Sequence, residues 1–433
     1  MRKNFGKKLT AWVVLMTMVL SLGSVAFAKE KLVFWNQDFM YVDEKGVIPA
    51  EELMVNQVVA QFEKDFDCEV EMVSMSDDLY QMFLAAGLAQ DGPDLCTLWT
   101  GAYTTDYAAY IEPLDGYFTE EELAPFGNLD LCRDGFVSDG ALLGLPYDNS
   151  CQVLFYNKDI LIEAGVLASR DEKLSIGSYD EWLEVCEKVA AAGYQPMCIN
   201  DAGDYTFVHA ISQALCYTIG SEGIFGLGNG TTDMTDARIA DTVEKYVAFT
   251  KTLMEKGYIN ADAFSSADGT YTEPFFSGRA AFWIDGTWSC GNVYNNLGEA
   301  AGVAIIPTTD GNPAFENIVC AQAANNMVVT NYSKHKDLAV ELMKRLVSAE
   351  SLQLRYVQNN SMPGRSDVAL EGVENSNPLT VECYSWLADN DTGMGYDSLT
   401  SADAASESYV QWQMLELGTT TVADALAAIQ AKN

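Results

Sequence analysis

The sequence predicts an α/β protein folded as two lobes, and three observations carry that reading. Residues 31–99 run strand, helix, strand, helix, strand, the order that builds a parallel sheet with helices on its faces. The chain has 433 residues, and about 405 follow the N-terminal leader described next, too many for one small core. Strand-like and helix-like segments then alternate to the C-terminus, with no internal repeat and no low-complexity linker.

The elements follow in order. MRKNFGKK brings four basic residues, LTAWVVLMTMVLSLGSV is apolar, and Ala26 and Ala28 are the small residues a signal peptidase reads. Residues 1–28 therefore read as a secretory signal peptide. The nearest cysteine is Cys68, so no lipid anchor is expected, and no later stretch reaches about 18 apolar residues. KLVFWN (31–36) is the first strand. VIPAEELMVNQVVAQFEKDF is a helix with Pro49 near its start, Glu51 and Glu52 in its first turn, and Val55, Val58, Val59, Phe62 and Phe66 on one face. CEVEMVSM is the second strand. DDLYQMFLAAGLAQ is the second helix, halted by Asp91, Gly92 and Pro93, and DLCTLW is the third strand. Ligands of such sheets lie beyond the carboxyl ends of strands. Those ends carry Trp35, Gln37 and Asp38 in one place and Trp99 and Tyr103 in another.

LLGLP (142–146) and QVLFY (152–156) are extended pieces with a polar joint at 147–150. SYDEWLEVCEKVAAAG is a helix with a capping box, Ser178 and Glu181. QPMCIN is a short strand. GSEGIFGLGNG (220–230) reads as a surface loop, because it lacks the flanks of a phosphate-binding turn. Residues 236–257 form a helix with Ile239, Val243, Tyr246, Val247, Thr250, Leu253 and Met254 inward. In GRAAFWIDGTWS (278–289), Ala280, Phe282 and Ile284 alternate with Ala281, Trp283 and Asp285. That is a buried strand, with Trp283 as packing. Gly286 ends it, Thr287 can cap the next helix, and Trp288 falls in that helix's first turn. GVAIIPTT is a strand, MVVTNYSKHKDLAVELMKRLVS a strand and helix, and TTTVADALAAIQAK a closing helix.

Composition narrows the function. Lys plus Arg number 25 against 62 Asp plus Glu, a net charge of −37. Such a surface repels nucleic acid and anionic membranes and suits a neutral or cationic ligand. The ten cysteines are scattered without C-x-x-C, and buried thiols and disulfides are both compatible with them. With two histidines and no H-E-x-x-H, no metal site and no cofactor are expected. GTWSCG has its serine out of register for G-x-S-x-G.

Seven segments, in order, resemble one family. They are KLVFWN, DGPDLCTLW with DYAAYIEPLD, LLGLPYDNSCQVLFYNKDILIEAGV, FFSGRAAFWIDGTW, AIIPTTDGNP, NYSKHKDLAVELMKRLVSAESLQ and MPGR. Together they resemble the extracellular solute-binding proteins of ABC importers, the maltose-binding-like (family 1) group that mostly carries sugars. The resemblance implies a two-lobed, periplasmic-binding-protein-like α/β fold, each lobe a mostly parallel sheet flanked by helices. Lobe one would hold 29–146 and 316–358, and lobe two 150–311 and 362–433, with hinge crossings at 147–150, 310–315 and 359–365. It further implies a monomer, exported to the periplasm or the extracellular space, that takes a carbohydrate in the cleft, closes, and delivers it to transmembrane permease subunits.

A sugar offers C–H faces and hydroxyl rims, so its cleft needs aromatic planes and paired polar side chains. Trp288 and Trp99 are the leading stacking candidates, with Asp285 beside the first as a hydroxyl acceptor. Gln37 and Asp38 stand at a strand end; Trp35 suits either packing or contact. Tyr103 shares the Trp99 loop, where maltose-binding members carry an acid and this chain has Ala102. Tyr147 and Asp148 lie at the first crossing, Tyr205 loosely matches a stacking aromatic, Gln322 lies on the cleft floor, and Arg365 is at the third crossing. Two other readings stay open: the same transport role for a polyamine or other polar solute, and a secreted glycan-active enzyme.

Overall fold

The computed structural model describes residues 29–37, 42–43, 46–75, 78–127, 129–201, 206–265, 269–307, 314–315 and 317–433. In the first lobe β1 (Lys31–Asn36) lies between β2 (Glu69–Ser74) and β3 (Leu95–Trp99), all parallel. Helices α1 (Met54–Phe66) and α2 (Leu79–Ala89) make the connections. α1 buries Met54, Val55, Val59 and Phe62, whereas Phe66, at its last turn, is 40% exposed. Its start is also later than expected, because Leu53 is extended and leaves 50–52 as a separate 3-10 turn.

The second lobe is built on one long strand. β4 (Leu145–Pro146) belongs to the first sheet, and after Tyr147 the chain continues as β5 (Asp148–Asn157), buried along its whole length. β5 pairs antiparallel with β7 (Ala280–Gly286) and β8 (Ala301–Ile305), and with β9 (Ile318–Ala323) and β11 (Met362–Pro363) nearer the crossing. Only β6 (Gln195–Cys198) on β7 and β12 (Asp391–Gly393) on β9 are parallel additions. The two-sheet α/β fold is as expected, but this second sheet is mixed rather than mostly parallel. The cause is β5 itself, whose neighbours return toward the crossing it leaves.

Two stretches differ from the sequence reading. Residues 220–230 are not a loop: they form the second half of α3 (Thr206–Asn229), which bends at Gly220 (φ 70°) and buries Ile224 and Leu227. The glycines serve close approach, since a Cβ at Gly228 would overlap the Phe136 ring and one at Gly220 the Phe315 ring. The second crossing also comes later than 310–315. β9 bonds within the second sheet, and β10 (Asn325–Val329) lies antiparallel between β3 and β4 in the first, so the chain crosses at Ala324. After the third crossing, Val368 and Leu370 return to the first-lobe core before α4 (Pro378–Asp389) packs on the second sheet. All ten cysteines are buried free thiols.

Candidate functional site

The site is organised by the register around the crossing. Trp99, the last residue of β3, pairs with Asn325 on β10. Two residues back along the chain, Ala323 pairs with Asn149 on β5. Two residues further along β5, the Cys151 N–H donates to Thr287 Oγ1 at 3.1 Å. Trp99 and Trp288 therefore flank the crossing, one on each lobe. They are also the two exposed tryptophans among the described residues, at 46% and 56%.

Each stands on a fixed turn. The Trp99 N–H donates to the Tyr80 hydroxyl at 3.0 Å, and its carbonyl accepts from Thr104 Oγ1 at 2.6 Å. Tyr103 meets its ring edge-on with centroids 5.4 Å apart, and Tyr80 packs against Tyr103 at 5.0 Å. On the other lobe, Thr287 does not cap a helix as expected. Its buried hydroxyl is turned to β5, and residues 287–289 form a 3-10 turn before the helix at Cys290–Leu297. Ser289 Oγ donates to Asp285 Oδ2, which ties that carboxylate to the turn carrying Trp288. Trp283 is core: 6% exposed, stacked on Phe155 at 5.7 Å, its Nε1–H donating to the Tyr271 hydroxyl at 3.1 Å.

Several expected contacts are occupied elsewhere. Trp35 is 8% exposed and packs with Leu79, Phe83 and Leu98. Tyr147 and Asp148 build the crossing rather than line it. Asp148 Oδ1 accepts from the Asn325 N–H at 2.8 Å, and its Oδ2 pairs with Arg355 Nη2 at 2.9 Å. The guanidinium lies 4.2 Å over the Tyr147 ring, and all three residues are buried. Arg365 grips Asp367 with two hydrogen bonds, of 2.8 and 2.6 Å, and lies over the Phe126 ring. Gln37 is half-buried, its N–H donating to Thr97 Oγ1 at 3.3 Å. Asp38, Tyr205 and the Gln322 side chain lie outside the described residues; the Gln322 backbone pairs with Ser150.

Two residues were not singled out from the sequence for this site, Tyr80 and His209. Tyr80 sits in an apolar helix, and the one hint was its phenol among aliphatics. Nothing in the local sequence marks His209. It lies 6% exposed on α3, its ring 5.5 Å from that of Trp288. Burial pushes its pKa down to about 3. The unfolded chain takes up this proton near pH 6.5, the folded protein only near pH 3, so stability falls as pH drops through that window. His209→Phe should remove about 2–3 kcal/mol of the loss between pH 7 and 4.5. Urea titrations of both proteins at the two pH values check this.

Cavities among the described residues also lie elsewhere. Three depressions of about 260, 430 and 440 Å³ adjoin the exposed Lys173–Glu382 ion pair, away from both tryptophans. A stacking platform presents a face rather than enclosing a volume, so the aromatic pair and not these depressions marks the candidate site. The arginines are committed to carboxylates. Each of the seven arginines among the described residues (133, 170, 238, 279, 345, 355 and 365) is ion-paired with a carboxylate.

Residues 57–380 match the family described as bacterial extracellular solute-binding protein. The chain belongs to that family. It is 24% identical over 326 residues to a galactooligosaccharide-binding protein of Bacillus subtilis (strain 168), covering 73% of this chain and 70% of the relative. It is 22% identical over 337 residues to an sn-glycerol-3-phosphate-binding periplasmic protein of Brucella abortus (strain 2308), covering 71% and 68%. Among solved structures, a chitin oligosaccharide binding protein superposes with a TM-score of 0.70 at 21% identity, over 87% of this chain and 93% of that one. This solute-binding protein thus shares the two-lobed fold of that structure. Among its described residues no helix is long and apolar enough to cross a membrane.

Proposed function

We propose that the protein is the exported substrate-binding component of an ABC importer, and that it captures a neutral carbohydrate between its lobes and hands it to a permease. The observation that supports this best is the pair of exposed tryptophans on fixed turns, one on each lobe beside the crossing. Aromatic faces of this kind cover the C–H faces of sugar rings. The relatives divide between oligosaccharides and a glycerol phosphate, and the arginine inventory favours the former. A phosphate calls for a cationic clamp, and every described arginine already holds a carboxylate. The surplus of acid, a net −37, favours a cationic solute as second reading.

A thermal-shift panel decides between them. It should contain galacto-, malto- and chito-oligosaccharides, polyamines, amino acids and sn-glycerol-3-phosphate. One carbohydrate class should stabilise the protein, by about 2.7 kcal/mol at a ligand concentration of 100 times Kd. A shift with polyamines alone overturns the carbohydrate reading. Turnover of any glycan in the panel overturns the binding-only role.

A further inference from the structure

Trp288 poses a problem of its own. A tryptophan more than half exposed just past the end of a strand ordinarily samples several rotamers, and fixing it on binding costs entropy. Here the turn beneath it is tied twice, by the bond from Cys151 N–H to Thr287 Oγ1 and by the bond from Ser289 Oγ to Asp285. The ring itself folds back over Gly286, so closely that a Cβ at that position would overlap three of its atoms. The backbone at Gly286 is extended (φ −114°, ψ 171°) and open to any residue. The glycine is therefore required by the ring and not by the chain. Against the ring stands His209, centroids 5.5 Å apart and planes at 61°, a T-shaped contact from a side chain that α3 holds 6% exposed.

We propose that Trp288 is a preset stacking platform, and that Gly286 beneath it and His209 against it are its positioning residues. The indole is held before ligand arrives, with its outer face left open. Gly286 sets how far the ring can fold down, and His209 limits how far it can swing. Burial keeps the imidazole neutral well below pH 6.5, so the platform carries no charge of its own toward a ligand. The link to carbohydrate rests on the function proposed above; the positioning does not.

The test separates the two. The Trp288 indole N–H resonance, assigned by its loss in Trp288→Phe, is followed in ligand-free protein. Gly286→Ala and His209→Ala should each shift it and raise its accessibility to acrylamide, with the melting temperature of Gly286→Ala kept within a few degrees. His209→Phe, which retains an aromatic ring, should leave it near its wild-type position. The resonance should stay flat between pH 5 and 8. Affinity for whichever galacto-, malto- or chito-oligosaccharide raises the melting temperature should fall at least tenfold in Gly286→Ala. The same change on a Trp288→Ala background should cost nothing further. An unmoved resonance in both variants overturns the proposal, as does an equal affinity loss on both backgrounds. Where no oligosaccharide binds, the ligand-free resonance still decides the positioning, and the carbohydrate reading fails separately.

Discussion

Arg355→Ala should destabilise the protein by about 3–5 kcal/mol, a larger loss than from any other ion pair among the described residues. Arg355 is 4% exposed and Asp148 6% exposed, and their side chains meet at 2.9 Å. Removing the guanidinium takes the opposite charge away from a buried carboxylate at the start of β5. It also removes the cation from the Tyr147 ring face. The Asn325 N–H and its side-chain amide would still donate to Asp148, at 2.8, 3.1 and 3.3 Å, but neutral amides do not balance a buried charge. Arg355→Met with Asp148→Asn should recover a good part of the loss, because the neutral amide keeps an acceptor for Asn325 and leaves no charge behind. Lys173→Ala is the control. That lysine's side chain is 75% exposed on Glu382, and its loss should cost less than about 1 kcal/mol. Urea titrations at pH 7 measure all four proteins. A loss below about 1 kcal/mol in Arg355→Ala would mean that Asp148 is solvated and the crossing is not built on this pair.

What could be read ahead of the structure depended on whether the deciding contact was local. β1, β2, β3 and the helices between them follow from apolar period and stop residues, and 278–289 shows its alternation openly. The failures involve distant partners. Glycine in 220–230 suggests a loop, but Gly220 and Gly228 are there to admit Phe315 and Phe136, which only tertiary packing brings near. Nothing in IVCAQAANNMVV marks Ala324 as the point where one sheet gives way to the other. Tyr147 and Asp148 were placed beside the cleft by position alone, because their partner Arg355 is remote in the chain. Trp35 and Trp99 both seemed strand-end residues. Trp35 stops one residue short, sits between β2 and β3, and is covered by α2, whereas Trp99 is the last residue of its strand and stays open. A single residue of register separates a core tryptophan from a candidate platform.

The same contrast between a strand and the turn that follows it gives the second large effect. Trp288→Ala should lower carbohydrate affinity by about 2–3 kcal/mol, roughly 30- to 150-fold, while costing the fold less than about 1 kcal/mol. The estimate follows from exposure. About half of the indole surface remains open at 56% exposure, and a stacked sugar ring would remove most of that area from water. Trp283→Ala should do the reverse. That residue is 6% exposed between Phe155, Phe275 and Phe276, so its truncation leaves a cavity and costs about 3–5 kcal/mol of stability. Any affinity it loses should follow the loss of folded protein. Trp99→Ala is expected to resemble Trp288→Ala, because its ring is open at 46% on the opposite lobe. Calorimetric titration with the stabilising oligosaccharide, beside urea titrations of the same variants, separates the two behaviours. Unchanged affinity in Trp288→Ala would remove the residue from the site. Lost affinity in Trp99→Ala alone would place the ligand on the first lobe, with the second closing over it by other contacts. Comparable losses in both, with both folds intact, are what a ligand held between two aromatic faces requires.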